Sequence, residues 1–197
     1  MKKCILFFAA AVLMMFAGCA STGETAGDKA AASGSATAVT GSTINLWNFE
    51  SKTTDGWYGK GKWADAVTVN ENAKFAKEGK YSLKIDAKTS KGWNQDIAIN
   101  DGPFPEQFQK LKAVDMDVFV PADSVKGLEY GQIFLVISGA ANSWYQVPQG
   151  LKPGWNSLEY KIETDNVSGD IWHVYFVFNS GVAFAGPVYI DNVVGKY

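Results

Sequence analysis

Histidine is almost missing from this 197-residue chain, in which His173 stands alone. Metal clusters and proton relays that need two imidazoles are therefore excluded. No Gly-x-Ser-x-Gly elbow and no His-Glu-x-x-His helix occurs either. Cysteine is nearly as scarce. Cys4 and Cys19 both precede the low-complexity stretch, so the domain beyond it holds no disulfide and must be stabilised by its core. Charged residues make up only 19%, low for a helical protein, and no long segment has helical periodicity. Formal charge is -2, a poor balance for a nucleic-acid partner. The longest apolar run, Ile5 to Phe16, is too short for a confident membrane span. What the chain does have is aromatic residues (14%, with seven Trp), 20 glycines and many β-formers. That balance predicts an all-β domain.

The N-terminus reads as an address. Lys2-Lys3 form a basic start, Ile5 to Phe16 an apolar run, and Ala17-Gly18 give small residues before Cys19. Phe16-Ala17-Gly18-Cys19 resembles the bacterial lipobox, with Phe16 where Leu is usual. The resemblance implies a signal peptide over 1–18, lipidation of Cys19 and anchoring to a membrane of the bacterial cell envelope. An ordinary secretory signal cut nearby is the alternative. Residues 19–42 are, after Cys19, mostly Ala, Gly, Ser and Thr with little to bury. They read as a flexible tether with an r.m.s. span of roughly 25–30 Å.

From Thr43 to Tyr197 the pattern is β throughout. Alternation predicts strands at Ile44–Glu50, Ala66–Asn70, Tyr81–Ile85, Trp93–Ile99, Val114–Pro121, Tyr130–Ser138, Ser143–Val147, Trp155–Ile162, Trp172–Asn179 and Val188–Val194. Pro103 to Gln109 reads as a loop with one helical turn. About ten strands at short spacing argue for a two-sheet antiparallel β-sandwich of jelly-roll type. Asp191 stands out in the closing strand Val188-Tyr189-Ile190-Asp191-Asn192-Val193, because a buried carboxylate needs a partner or a metal.

Five segments occur in a telling order: Leu46-Trp47-Asn48-Phe49-Glu50, Asp55-Gly56-Trp57, Glu78-Gly79-Lys80-Tyr81-Ser82-Leu83-Lys84, Pro153-Gly154-Trp155-Asn156-Ser157-Leu158, and Val188 to Val193. Together they resemble the galactose-binding-like jelly rolls, and within them carbohydrate-binding modules such as families four, eleven and twenty-two. The resemblance implies a structural calcium where the first strand, the Glu78–Lys80 turn and the last strand meet. Glu50 and Asp191 would contribute side chains, and Glu78 and Lys80 backbone carbonyls. Calcium takes about six to eight oxygens and accepts such a mixed set. Pairing of the two acids with Lys80 or Lys84 is the alternative.

Strand parity selects a candidate ligand face. Asn94 and Asp96 are expected outward, opposite Ile97 and Ile99. Gln132 is expected opposite Ile133 and Leu135. Trp144 and Gln146 share a parity, as do His173, Tyr175 and Asn179. Amides, carboxylates and flat rings suit a sugar, whose apolar face stacks and whose hydroxyls hydrogen-bond. Two stacked rings and a few solvent-compensated hydrogen bonds give a dissociation constant of roughly millimolar to ten micromolar. Trp144 is the expected platform. Trp57 and Trp63 either rim a cleft or cap the sandwich. Trp47, Trp155 and Trp172 are expected at the core edge, and Trp93 in the core. Asp115 and Asp117 share one face of one strand, roughly 6.5–7 Å apart, whereas glycoside hydrolysis needs acids on opposite sides of the bond. The expectation is a non-catalytic binder of a polysaccharide such as a β-glucan. The alternative is an envelope module that contacts a protein partner.

Overall fold

The computed structural model describes residues 43–125, 131–139, 142–145 (backbone only), 150–162 and 170–197. The signal segment, Cys19, the tether, Tyr130 and Gln146 lie outside them. The eleven strands among the described residues are β1 (Thr43–Trp47), β2 (Trp57–Tyr58), β3 (Val67–Asn70), β4 (Ser82–Asp86), β5 (Gly92–Asp101), β6 (Ala113–Val120), β7 (Gly131–Ser138), β8 (Asn142–Tyr145), β9 (Gly154–Lys161), β10 (His173–Ser180) and β11 (Pro187–Lys196). The helical turn expected near Pro103 is a short 3-10 turn at Glu106–Lys110.

The strands form two antiparallel sheets. The first runs β3-β4-β11-β6-β9, with β1 also on β11; the second runs β2-β5-β10-β7-β8. Alternating apolar residues build the layer between them. Leu83, Ile85, Val118, Val188 and Ile190 come from the first sheet, and Ile97, Ile133, Leu135, Phe176 and Phe178 from the second, all fully buried in one cluster. Each such side chain contributes about 1.5–3 kcal/mol.

β11 organises the first sheet. Pro187 to Ile190 pair with β4, and Val193 to Lys196 pair with β1. The other edge of β11 pairs with β6, with a bulge between Asp191 and Val194. Asn192 takes φ 51 there, a left-handed conformation that Asn tolerates. The handover from β4 to β1 thus falls at Asp191-Asn192.

A second bulge lies in β5. Phe176 pairs with Ala98 but Phe178 with Asn94, so β5 spends two extra residues there, and Asp96 has φ 66. Two extra residues leave the alternation in phase on either side, with Asn94 and Ala98 on the face of Phe178 and Phe176. It breaks only inside the bulge, where Gln95 and Asp96 both line the outer face and Ile97 joins Ala98 in the core.

Candidate functional site

The outer face of the second sheet carries a cleft of about 340 Å³, lined by Tyr58, Lys60, Gln95, Asp96, Ile99, Asp101, His173 and Tyr175. Three adjacent strands bring these groups together. Tyr58 of β2 pairs with Ile99 of β5, and Ile99 pairs with Tyr175 of β10; Asp101 pairs with His173. The Tyr58 hydroxyl donates to Asp101 Oδ2. That bond, followed by burial and the negative charges of Asp101 and Asp96, raises the Tyr58 pKa. Burial, then the Asp96 carboxylate, raises that of Tyr175.

Aromatic rings extend the face beyond the cleft. Trp172 is 60% exposed, lies parallel to His173 at 6.1 Å, and donates its Nε1 hydrogen to Ser138 Oγ. His173 in turn tilts against Tyr175 at 5.6 Å. Further along, Trp93 is 49% exposed and packs against Phe134 at 4.8 Å. Phe134, Val136 and Val177 form a small apolar cluster there, with Tyr175 at its edge.

Asp96, His173, Tyr175 and Gln132 lie where parity places them, and Gln132 accepts from Asn179 Nδ2. Trp144 pairs with Val136 across β7 and β8, and its side chain lies outside the description, as does Gln146. Four expectations are corrected. Trp57 is 2% exposed, stacked on Phe176 at 4.6 Å and edge-on to Trp47 at 5.1 Å, so it belongs to the core. Asn94 is buried and turned back on its own loop, where it bonds Ser90 and Gly92. Trp93 is outside rather than in the core, and Trp172 is outside rather than at the core edge. Ile97 is buried inside the bulge, so a phase read from it runs one residue out for the rest of β5: Asn94 faces inward, and Trp93 and Ile99 face outward. Tyr58, Lys60, Gln95 and Asp101 were not anticipated. Tyr58 sits in a two-residue strand too short to show alternation.

The two acids expected to hold a metal converge as anticipated, on one turn. Glu50 Oε1 accepts the amide hydrogens of Lys80 and Tyr81, both at 2.9 Å. Asp191 Oδ2 accepts those of Lys77 (2.7 Å) and Glu78 (3.1 Å), and Oδ1 that of Asn192 (2.7 Å). Glu78 and Lys80 thus meet the acids through N–H groups. Burial raises the Asp191 pKa; the three amide bonds oppose this, and the Glu50 charge adds to it. Two partly saturated carboxylates, one disfavoured in its charged form, suit a cation. They offer only part of a calcium shell, since a carboxylate has about four lone-pair sites and calcium takes about six to eight ligands. Among the described residues no group of three or more His, Cys, Asp or Glu gathers at one point.

Asp115 and Asp117 belong to the first sheet, on β6 beside β11, and not to the sheet that carries the cleft; both are engaged there. Lys196 Nζ lies 2.6 Å from Asp115 and 2.8 Å from Glu159, and Asp117 accepts from Ser157 and Asn192.

No family model and no curated protein matches the chain. Solved structures do. A family 27 carbohydrate-binding module of Caldicellulosiruptor saccharolyticus, in complex with mannohexaose, is 20% identical with a TM-score of 0.59, over 80% of this chain and 98% of that one. A second family 27 module, described for specific mannan recognition, is 15% identical with a TM-score of 0.53, over 81% and 98%. The family 11 module of the cellulosomal cellulase Lic26A-Cel5E of Clostridium thermocellum is 14% identical with a TM-score of 0.51, over 78% and 94%. At these identities the likeness shows the fold, the jelly-roll sandwich of carbohydrate-binding modules.

Proposed function

We propose that this protein is a non-catalytic polysaccharide-binding lipoprotein of the bacterial cell envelope, anchored through lipidated Cys19. The observation that carries the binding reading is the cleft on the second sheet. It combines rings that can stack on a pyranose with carboxylates that can accept its hydroxyl protons. Solved structures of the same fold, named as modules that bind mannohexaose or recognise mannan, support it. Asp96, Asp101, His173 and Tyr175 make the polar contacts in this reading, and Trp93 and Trp172 extend the stacking surface. Binding to a mannan, β-glucan or galactan in affinity gels, weakened in a Tyr175→Ala variant that stays folded, is the expected result. A folded protein retained by no glycan would return the choice to an envelope module with a protein partner. The anchor has its own test: Cys19→Ser should release the protein from membranes.

The calcium reading is carried by the convergence of Glu50 and Asp191 on one turn. Those carboxylates would hold the ion, with carbonyls of Glu78 and Lys80 adding oxygens as the resemblance implies. Its role would be structural, tying β11 and the end of β1 to the turn before β4.

A further inference from the structure

We propose that Asp96 and Asp101 make this cleft a charge filter, which admits neutral glycan chains and rejects chains bearing carboxylate or sulfate groups. The proposal rests on the glycan-binding reading and specifies the class of glycan. Both acids come from β5 and line one cleft, in which Lys60 is the only ammonium group and His173 the only imidazole. Neither acid is placed by chance of rotamer alone. The Tyr58 hydroxyl holds Asp101 from the neighbouring strand. The left-handed backbone at Asp96 fixes the direction of its side chain, and the amide of Lys60 is bonded to the Asp96 carbonyl. The bulge therefore aims a carboxylate into the cleft.

An ionised carboxylate only accepts hydrogen bonds. A sugar hydroxyl can donate to it, and a primary alcohol at C6 can do so with free rotation. A uronate at the same position has no proton to give at neutral pH and adds like charge in a partly enclosed space, where screening is weaker than in bulk water. The raised pKa values of Tyr58 and Tyr175 report the same negative field, since both hydroxyls resist ionisation partly because of these acids. Lys60 lowers the field without cancelling it, one ammonium against two carboxylates.

Matched pairs of hexamers test this directly. β-1,4-Mannohexaose and β-1,4-hexamannuronate differ only at C6, as do cellohexaose and its hexaglucuronate counterpart. Calorimetric titration of the full chain at low ionic strength should show at least one neutral hexamer bound about tenfold or more tightly than its uronate. Asp96→Asn and Asp101→Asn should each narrow that ratio several-fold, because the amide keeps the shape and removes the charge. Asp96→Gly, which suits the left-handed backbone, serves if the Asn variant fails to fold. Added salt should narrow the wild-type ratio as well. Equal or tighter binding of the uronates by the wild type overturns the filter alone, as does a ratio unchanged in the variants. No binding of either neutral hexamer by folded protein, with no retention on mannan, β-glucan or galactan gels, overturns the reading beneath it too.

Discussion

Gly79 lies directly against the Glu50 carboxylate: a Cβ built on Gly79 would stand 2.2 Å from Glu50 Cδ. Gly79 also has φ 64, where a side chain is strained whatever the space. Glycine is therefore what lets the turn close on the acid so that the Lys80 and Tyr81 amides can reach it. Gly79→Ala should destabilise the domain by about 1–3 kcal/mol, from backbone strain and displaced charge-assisted hydrogen bonds. Urea denaturation measures it, and an unchanged midpoint would show that the turn does not depend on this contact.

The same turn bears on calcium. Added calcium should raise the melting temperature of metal-free protein, EDTA should lower it again, and Glu50→Gln should blunt both effects. A melting temperature indifferent to calcium would leave the five amide bonds as the whole role of the two acids.

Two tryptophans should respond in opposite ways to truncation. Trp57→Ala empties a core site between Phe176 and Trp47 and should cost about 3–5 kcal/mol of stability. Trp93→Ala removes a half-exposed ring and should leave folding nearly intact while weakening glycan binding about tenfold, the equivalent of roughly 1.4 kcal/mol. Paired thermal melts and titrations separate the effects. Binding unchanged in Trp93→Ala would confine the site to the cleft.

Tyr160 gives a prediction for alkaline pH. Its hydroxyl is buried and donates to the Ile133 carbonyl at 2.8 Å, and burial holds its pKa well above 10.0. Unfolding frees it to ionise near the ordinary tyrosine value. The native state thus retains a proton that the unfolded state loses. Its contribution is complete below pH 10 and falls as pH rises beyond it, with a limiting slope of about 1.4 kcal/mol per pH unit. Tyr160→Phe should lower stability by about 1 kcal/mol at neutral pH and remove that share of the alkaline decline. Denaturant titrations across the alkaline range check both parts.

How legible each element was depended on whether alternation ran unbroken. In β10, Val174, Phe176 and Phe178 point inward while His173 and Tyr175 reach the cleft, as a strict period of two requires. In β5 the same rule misplaced Trp93, Asn94 and Ile99, because their phase was taken from Ile97, which is buried only through the bulge where Asp96 adopts a left-handed conformation. Asp tolerates that conformation, but nothing nearby in sequence demands it. Trp172 precedes β10 and is held by Ser138, a partner 34 residues away that periodicity does not reveal. Trp57 reads as a loop residue, and only the stack on Phe176 shows it to be core. The meeting of Glu50, Asp191 and the Glu78–Lys80 turn was accessible through resemblance to a family. That the turn answers the acids with amide hydrogens depends on backbone direction, which residue identity does not encode.

The position of β11 between β1, β4 and β6 has a consequence for how the molecule comes into being. A chain emerging from the ribosome makes β11 after the other ten strands of the described residues. Until then the first sheet is two separate antiparallel pairs, β3 with β4 and β6 with β9, and β1 without its partner strand. Their hydrophobic faces have no continuous sheet to join, and the contacts that unite them span most of the domain. Such long-range closure is slow. Folding of this sheet is therefore a late event that waits on a single ten-residue strand, and a chain stopped short of Pro187 is left with open edges on every piece of it.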